Sequence, residues 1–234
     1  REEPKWTEPR RVGDGIMMNK PIVLSSGEWL LPAARWGKDQ SAKVCCSTDE
    51  GKNWEMRGGA SIPDPDDRNC DEHMLVELDD GRLWMLVRTA YGIGESFSAD
   101  RGRSWNPVEP SDIPHPTSRF FIRRLLSDNL LLVKHGPIDE RTERSHLMAF
   151  ISEDEGANWT GGLLLDRRAG VSYPDGVQAQ NGMIHVIYDY DRHGAKEILL
   201  AMFTEGDAVA GEEVSGKVER RMKVNKAFGG TNDE

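Results

Sequence analysis

Ser47-Thr48-Asp49-Glu50-Gly51-Lys52-Asn53-Trp54, Ser98-Ala99-Asp100-Arg101-Gly102-Arg103-Ser104-Trp105 and Ser152-Glu153-Asp154-Glu155-Gly156-Ala157-Asn158-Trp159 share one pattern, S-x-D-x-G-x-x-W. The pattern reads as a hairpin turn: Asp bonds the backbone ahead of it, Gly supplies a positive φ, and Trp pins the turn to the body of the fold. These aspartates therefore hold turns and are assigned no chemistry. They stand 51 and 54 residues apart, close to the length of a propeller blade, in which a short antiparallel sheet packs face to face with its neighbours.

Upstream of each box lies an apolar stretch, a tight turn and a second apolar stretch. The first copy runs Pro21-Ile22-Val23-Leu24, Gly27, Trp29-Leu30-Leu31, and the second Met74 to Leu78, Gly81, Leu83 to Val87. The third runs Phe120 to Leu126, Asp128-Asn129, Leu130 to Val133. A fourth, Val177, Asn181-Gly182, Met183 to Tyr188, continues into Ile198 to Phe203 without a box. Four strand-turn-strand units thus fill residues 16–205, helical periodicity is nearly absent, and the fold class is an all-β propeller. Trp6-Thr7-Glu8-Pro9 reads as the end of a further box, so the chain is expected to start mid-blade. The propeller is assigned to 1–211, and the charged stretch 212–234 reads as a polar C-terminal tail.

Composition excludes several classes of function. The 234 residues carry 30 Lys+Arg against 40 Asp+Glu, a net charge of −10, which disfavours nucleic acid or an anionic membrane as partner. No run approaches the roughly 20 apolar residues of a membrane span, and Arg1-Glu2-Glu3-Pro4 lacks a secretory apolar core. Seven Trp, six Phe and four Tyr argue against disorder. Cys45, Cys46 and Cys70 match neither a disulfide framework nor a zinc spacing, and read as reduced thiols. His73, His115, His135 and His146 form no metal spacing, so no metal or cofactor is assigned. Tyr91-Gly92-Ile93-Gly94 reads as a turn, and Gly161-Gly162 and Asp189-Tyr190-Asp191-Arg192 as loops. For the last two segments, reach into the pocket from the face where the strands converge is the secondary reading. Localisation and oligomeric state are not readable.

Register then picks out candidate site residues. In a propeller the innermost strand of every blade starts at one face around the axis. Glu72 and Tyr173 each lie nine residues before their turn glycine, Lys20 lies seven before Gly27, and Arg119 ten before Asn129. Arg88, seven after Gly81, returns to the same face, as does Arg144, eight before Ser152. Ionisable residues gathered at strand termini are costly unless paired or wet, which favours a site over a set of unrelated surface charges.

These residues carry a family resemblance. The boxes resemble the bacterial-neuraminidase repeats, or Asp boxes, of the sialidase superfamily. Asp71-Glu72 through Glu77-Leu78, Gly81 and Arg88 is similar to its Asn-Glu-x-x-x-x-Glu-Leu-x-x-Gly stretch ending in arginine. Ser172-Tyr173-Pro174-Asp175-Gly176 through Gly182 and Tyr188-Asp189 is similar to its tyrosine segment, with Pro174 and Gly176 in place of the usual Ser and Leu. Arg144-Ser145-His146-Leu147 is similar to the segment bearing the third arginine of its triad. The resemblance covers most of residues 16–211 and is nearest to the sialidase-like BNR-repeat proteins.

It implies a six-bladed propeller with about four blades in this chain, acting as an exo-glycosidase on a terminal acidic sugar, sialic acid first, with retention. Tyr173 would be the nucleophile, since a neutral phenol avoids the like charge that a carboxylate would meet beside the substrate carboxylate. Glu72 would take its proton. Arg88 and Arg144 would clamp the carboxylate with planar paired bonds, with Arg119 as a further binding residue. The partner is a glycan or glycoconjugate. The triad's first arginine and the acid/base aspartate would belong to an earlier blade, and neither role is carried to Lys20. The alternatives are a non-catalytic carbohydrate- or protein-binding propeller and a hydrolase of another acidic sugar.

Overall fold

The computed structural model describes residues 5–17, 19–35 and 41–228. Four antiparallel four-stranded sheets follow one another along the chain. Blade 1 comprises β1 (Ile22–Val23), β2 (Trp29–Arg35), β3 (Ser41–Ser47) and β4 (Glu55–Ala60). Blade 2 comprises β5 (Arg68–Glu77), β6 (Leu83–Thr89), β7 (Ile93–Ser98) and β8 (Glu109–Pro110). Blade 3 comprises β9 (Phe121–Arg124), β10 (Leu130–His135), β11 (Leu147–Ser152) and β12 (Thr160–Asp166). Blade 4 comprises β13 (Val171–Gln178), β14 (Met183–Tyr190), β15 (Glu197–Thr204) and β16 (Glu219–Lys226). These are four blades of a β-propeller, with the first strand of each innermost. Among the described residues, one α-helix, α1 (Glu205–Ala210), and one 3-10 turn, Pro65–Asp67, interrupt the pattern.

The boxes connect the third and fourth strands of blades 1 to 3. In the first, Ser47 Oγ donates to Asp49 Oδ1 (2.8 Å) and accepts from the Gly51 amide, and Asn53 closes the ring through its amide and side chain. Trp54 Nε1 donates to the Gly51 carbonyl at 3.0 Å. The second and third boxes repeat the serine–aspartate bond at 2.8 and 2.9 Å. Blade 4 solves the same connection differently. There Thr204 and Asp207 form a capping box at the start of α1, and Asp207 Oδ1 accepts from the Val214 and Ser215 amides.

Packing occurs between blades. Strands β6 and β10 are buried along their whole length, because a second strand is covered by neighbouring sheets on both faces. One apolar cluster joins blades 2, 3 and 4 through residues such as Leu86, Leu132, Phe150 and Phe203, and a second joins blades 1 and 2 through Leu30, Val44, Leu75 and Met85. Each such fully buried side chain contributes about 1.5–3 kcal/mol of transfer free energy. Ahead of blade 1, Ile16 bridges to Ala34 beside the short β1, and Arg10 donates to the Lys52 carbonyl. One face of blade 4 exposes Val177, Ile187, Ile198, Met222 and Val224.

Two expectations are corrected. Residues 219–226 are strand β16, registered on β15 from Glu197↔Lys226 to Met202↔Glu219, and not tail; residues 229–234 of the assigned tail lie outside the described residues, as do 1–4, 18 and 36–40 of the propeller. An outermost strand has one neighbour and largely solvated faces, so it needs backbone pairing but little apolar alternation. Trp6 lies in irregular chain and is 90% exposed. Gly161 and Gly162 belong to β12, at an irregularity in its pairing with β11, and Asp189 and Tyr190 belong to β14.

Gly161 is also where α1 docks: its φ is +86°, and a Cβ there would overlap the Ala208 carbonyl. Gly182, in the β13–β14 turn, has φ +84° with nothing near a Cβ. Gly182→Ala is therefore expected to cost about 1–2 kcal/mol from backbone strain alone, and Gly161→Ala about 1–3 kcal/mol more from the overlap. Denaturant melts of the two variants check this; equal losses would show that the close approach is not tight.

Candidate active site

The innermost strands meet at an axis crossed by polar side chains. Asn19 Nδ2 donates to the His73 carbonyl, and Arg119 Nε donates to Asn19 Oδ1 at 2.9 Å. Arg119 Nη2 reaches Asp175 Oδ2 at 3.2 Å, while Lys20 Nζ lies 2.6 Å from both Asp175 Oδ1 and the Gly176 carbonyl. One network thus joins all four blades. Arg119, 7% exposed, is committed to it, and Lys20 binds the same carboxylate.

A second group gathers at the strand starts. Tyr173 Oη donates to Glu72 Oε1 at 2.9 Å, and Arg88 Nη1 donates both to Glu72 Oε2 (2.8 Å) and to Tyr173 Oη (3.0 Å). Glu72 and Arg88 are 3% and 6% exposed, and Tyr173 is half-buried. The same local device aims both Glu72 and Tyr173. The β5–β6 register shifts between Arg68 and His73, and the β13–β14 register between Ser172 and Asp175, so each residue sits on a bulge that frees its side chain from strict alternation. Tyr173 has φ 53°, a left-handed conformation costing a non-glycine residue roughly 1–2 kcal/mol. Pro174 follows it within the bulge, where a residue without an N–H loses no ladder bond.

Around this triangle stand two further arginines. Arg144, ahead of β11, donates to the Thr117 carbonyl (3.1 Å) and to Ser172 Oγ (3.4 Å). Arg192, in the turn after β14, places its guanidinium 4.6 Å from the centre of the Tyr173 ring and donates to Ser172 Oγ at 3.3 Å. It also pairs with Asp189 at 2.8 Å. The sequence reading took Arg192 as a loop residue and gave it no role; its usable signal was its return after Gly182 to the face that Arg88 reaches after Gly81.

Electrostatics differ among the arginines. Burial disfavours the Arg88 charge, but its hydrogen bond and attraction to Glu72 outweigh this and raise its pKa. Burial lowers that of Arg144, and repulsion from Arg88 and Arg192 adds to the effect. The Nε of Arg88 is buried and makes no hydrogen bond to a described residue. Behind the site, His135 Nε2 donates to the Val171 carbonyl (3.0 Å), so its Nδ1 accepts from His115 Nε2 (3.1 Å). Among the described residues no three His, Cys, Asp or Glu side chains gather as metal ligands, and no helix is long and apolar enough to cross a membrane.

A blade assembly whose strand starts present Tyr, Glu and Arg around a polar axis is sialidase-like in build. The chain matches the family described as BNR repeat-like domain over residues 2–186, and it belongs to that family. Its fold is similar to that of the intramolecular trans-sialidase from Ruminococcus gnavus, solved with oseltamivir carboxylate (TM-score 0.62, 20% identity, 82% of this chain and 43% of that one). It is also similar to the Penicillium chrysogenum alpha-L-arabinanase solved with arabinobiose (0.59, 14%, 82% and 64%). A third likeness is to the exo-beta-1,3-galactanase of Phanerochaete chrysosporium (0.63, 10%, 90% and 50%). Identities this low carry the fold alone, and this chain spans between 43% and 64% of the length of these three structures. No curated protein matches the sequence.

Burial holds His135 and His73 down at about 4, against 6.5 for a free imidazole. Their folded values are depressed, so the unfolded chain takes up protons that the folded one refuses, and stability falls as pH drops from about 6.5 toward 4. The melting temperature is expected to decline across that window, and His73→Gln or His135→Gln to flatten the decline. A wild-type melting temperature constant from pH 7 to 4.5 would contradict this.

Proposed function

We propose that this chain carries the nucleophile side of a retaining exo-glycosidase site for a terminal acidic sugar, with sialic acid the first candidate. The observation that carries the reading is the Tyr173–Glu72–Arg88 triangle, in which the phenol donates to one carboxylate oxygen while a guanidinium donates to the other and to the phenol oxygen. As Tyr173 Oη attacks the anomeric carbon, its proton passes to Glu72 Oε1, and Arg88 stays bonded to the oxygen that loses it. The glycosidic bond breaks with its electron pair on the leaving oxygen. Water then attacks the tyrosyl glycoside on the face the leaving group left, giving its proton to the conjugate base of the group that protonated the leaving oxygen while Glu72 returns a proton to Tyr173, so configuration is retained.

Each role follows from residue chemistry. A neutral nucleophile suits a substrate whose reacting carbon bears a carboxylate, because an anionic one would be repelled. Arg144 and the unspent donors of Arg88 supply planar paired bonds to that carboxylate. Arg119 is proposed to act through the axis, holding Asp175 and thereby the strand that bears Tyr173. The leaving oxygen also requires a proton donor, and none of the residues around Tyr173 is assigned to that step. This gap favours, as a second reading, a propeller that binds an acidic sugar without turning it over. A third reading keeps the chemistry and changes the sugar, because the same guanidinium groups would hold the anionic group of another acidic sugar equally well.

Release of fluorophore from 4-methylumbelliferyl sialic acid separates these readings. Turnover is expected from the wild-type protein, with Tyr173→Phe reduced to background and Glu72→Gln slowed by about 10²–10⁴-fold, both variants melting cooperatively. Undiminished turnover by Tyr173→Phe would contradict the assignment, and binding of sialic acid without turnover would select the second reading.

A further inference from the structure

Arg192 and Arg144 reach one oxygen from different blades. Both donate to Ser172 Oγ, at 3.3 and 3.4 Å, and Ser118 Oγ stands 3.4 Å from the same atom. Contacts of this length are weak, so neither guanidinium is committed to the serine. Arg192 makes its hydrogen bonds to described residues through Nη2 alone, leaving the other side of its donor fork unspent. Two cations drawn to one neutral hydroxyl repel each other, and the depressed pKa of Arg144 carries the same sign.

Local charge points the same way. Arg88, Arg144 and Arg192 face Glu72 and Asp189, a net positive spot on a chain of net charge −10. Beside the Tyr173 ring the exposed, mainly apolar face of blade 4 forms an open hollow lined by Tyr173, Ile187, Tyr188, Asp189, Arg192 and Ile198. Arg192 stands at the edge of this face toward the strand starts, with its side chain 41% exposed and so within reach of a ligand. An exposed i,i+3 pair with Asp189 would add little stability by itself. A guanidinium stacked on the proposed nucleophile's ring is instead well placed to meet a ligand.

We propose that Arg192 is a substrate-binding residue which, with Arg144, forms a two-guanidinium cradle over Ser172 for the carboxylate of the sugar, and that Asp189 positions it. The proposal rests on the reading of the Tyr173 site as one for an acidic sugar. The incoming carboxylate replaces the serine hydroxyl as the shared acceptor and relieves the repulsion between the arginines. Ser172 then holds the cradle open in the free protein. Arg192 thereby supplies a cation from the same blade as the nucleophile, independent of any arginine on an earlier blade.

Calorimetric titration of the protein with N-acetylneuraminic acid, glucuronic acid and the methyl ester of each tests this. The wild type is expected to bind an acid at least about tenfold more tightly than its ester. Arg192→Gln should lose about tenfold for the acid and nothing for the ester, and Arg192→Lys, which keeps charge but not the planar fork, should fall between. Unchanged melting temperatures would show that the fold is intact. If Arg192→Gln keeps the wild-type preference for the acid, the cradle is overturned while the acidic-sugar reading stands. If the wild type binds acid and ester alike, or binds neither, the acidic-sugar reading falls and the cradle with it. Which acid binds distinguishes a sialic from a uronic carboxylate.

Discussion

Four innermost strands begin at one axis, and the polar groups they bring there must satisfy one another. Removing one partner of a buried ion pair typically costs about 3–5 kcal/mol, because the other is left charged and unpaired. Arg119 and Lys20 share Asp175, Asn19 links Arg119 to blade 2 through the His73 carbonyl, and Arg88 shares its Nη1 between Glu72 and Tyr173. These residues come from four separate passes of the chain, so their mutual satisfaction fixes how the blades sit around the axis. The apolar clusters between blades supply the larger stabilising free energy, yet apolar contact is non-directional. The directional bonds set the register to which that packing conforms.

On this frame the candidate site is built by controlled irregularity. Regular alternation would send neighbouring residues to opposite faces of β5 and β13, and the bulges at 68–73 and 172–175 relax that rule where Glu72 and Tyr173 must converge. The left-handed backbone at Tyr173 is tolerated because its hydroxyl has two partners and Asp175 is anchored by two cations. The strain and its compensation lie within three residues. Pro174, a departure from the sialidase pattern, fits this geometry for the same reason that a regular central strand would reject it.

The sequence made the repeat legible because the turn boxes depend on local side-chain bonds that need fixed residue types at fixed spacing. It also made Glu72, Arg88 and Tyr173 legible, since counting back from a turn glycine measures position along a strand. The same count could not separate Arg119, which ties the axis, from residues at the triangle, because a bulge moves side chains without changing residue spacing. Strand β16 escaped notice because an outermost strand is held by backbone pairing and its residues are nearly all exposed. Arg192 escaped a role because a cation in a turn has no periodicity to betray what it faces.

The central claim is that Tyr173, assisted by Glu72, forms a covalent bond to the sugar. A 2,3-difluorinated sialic acid tests it directly, since the fluorine slows hydrolysis of a glycosyl intermediate enough for it to accumulate. Mass analysis of the digested protein should then find the adduct on the peptide bearing Tyr173, and no adduct in Tyr173→Phe. An adduct on a different residue, or turnover of a fluorogenic sialoside by a protein that is never labelled, would contradict the account.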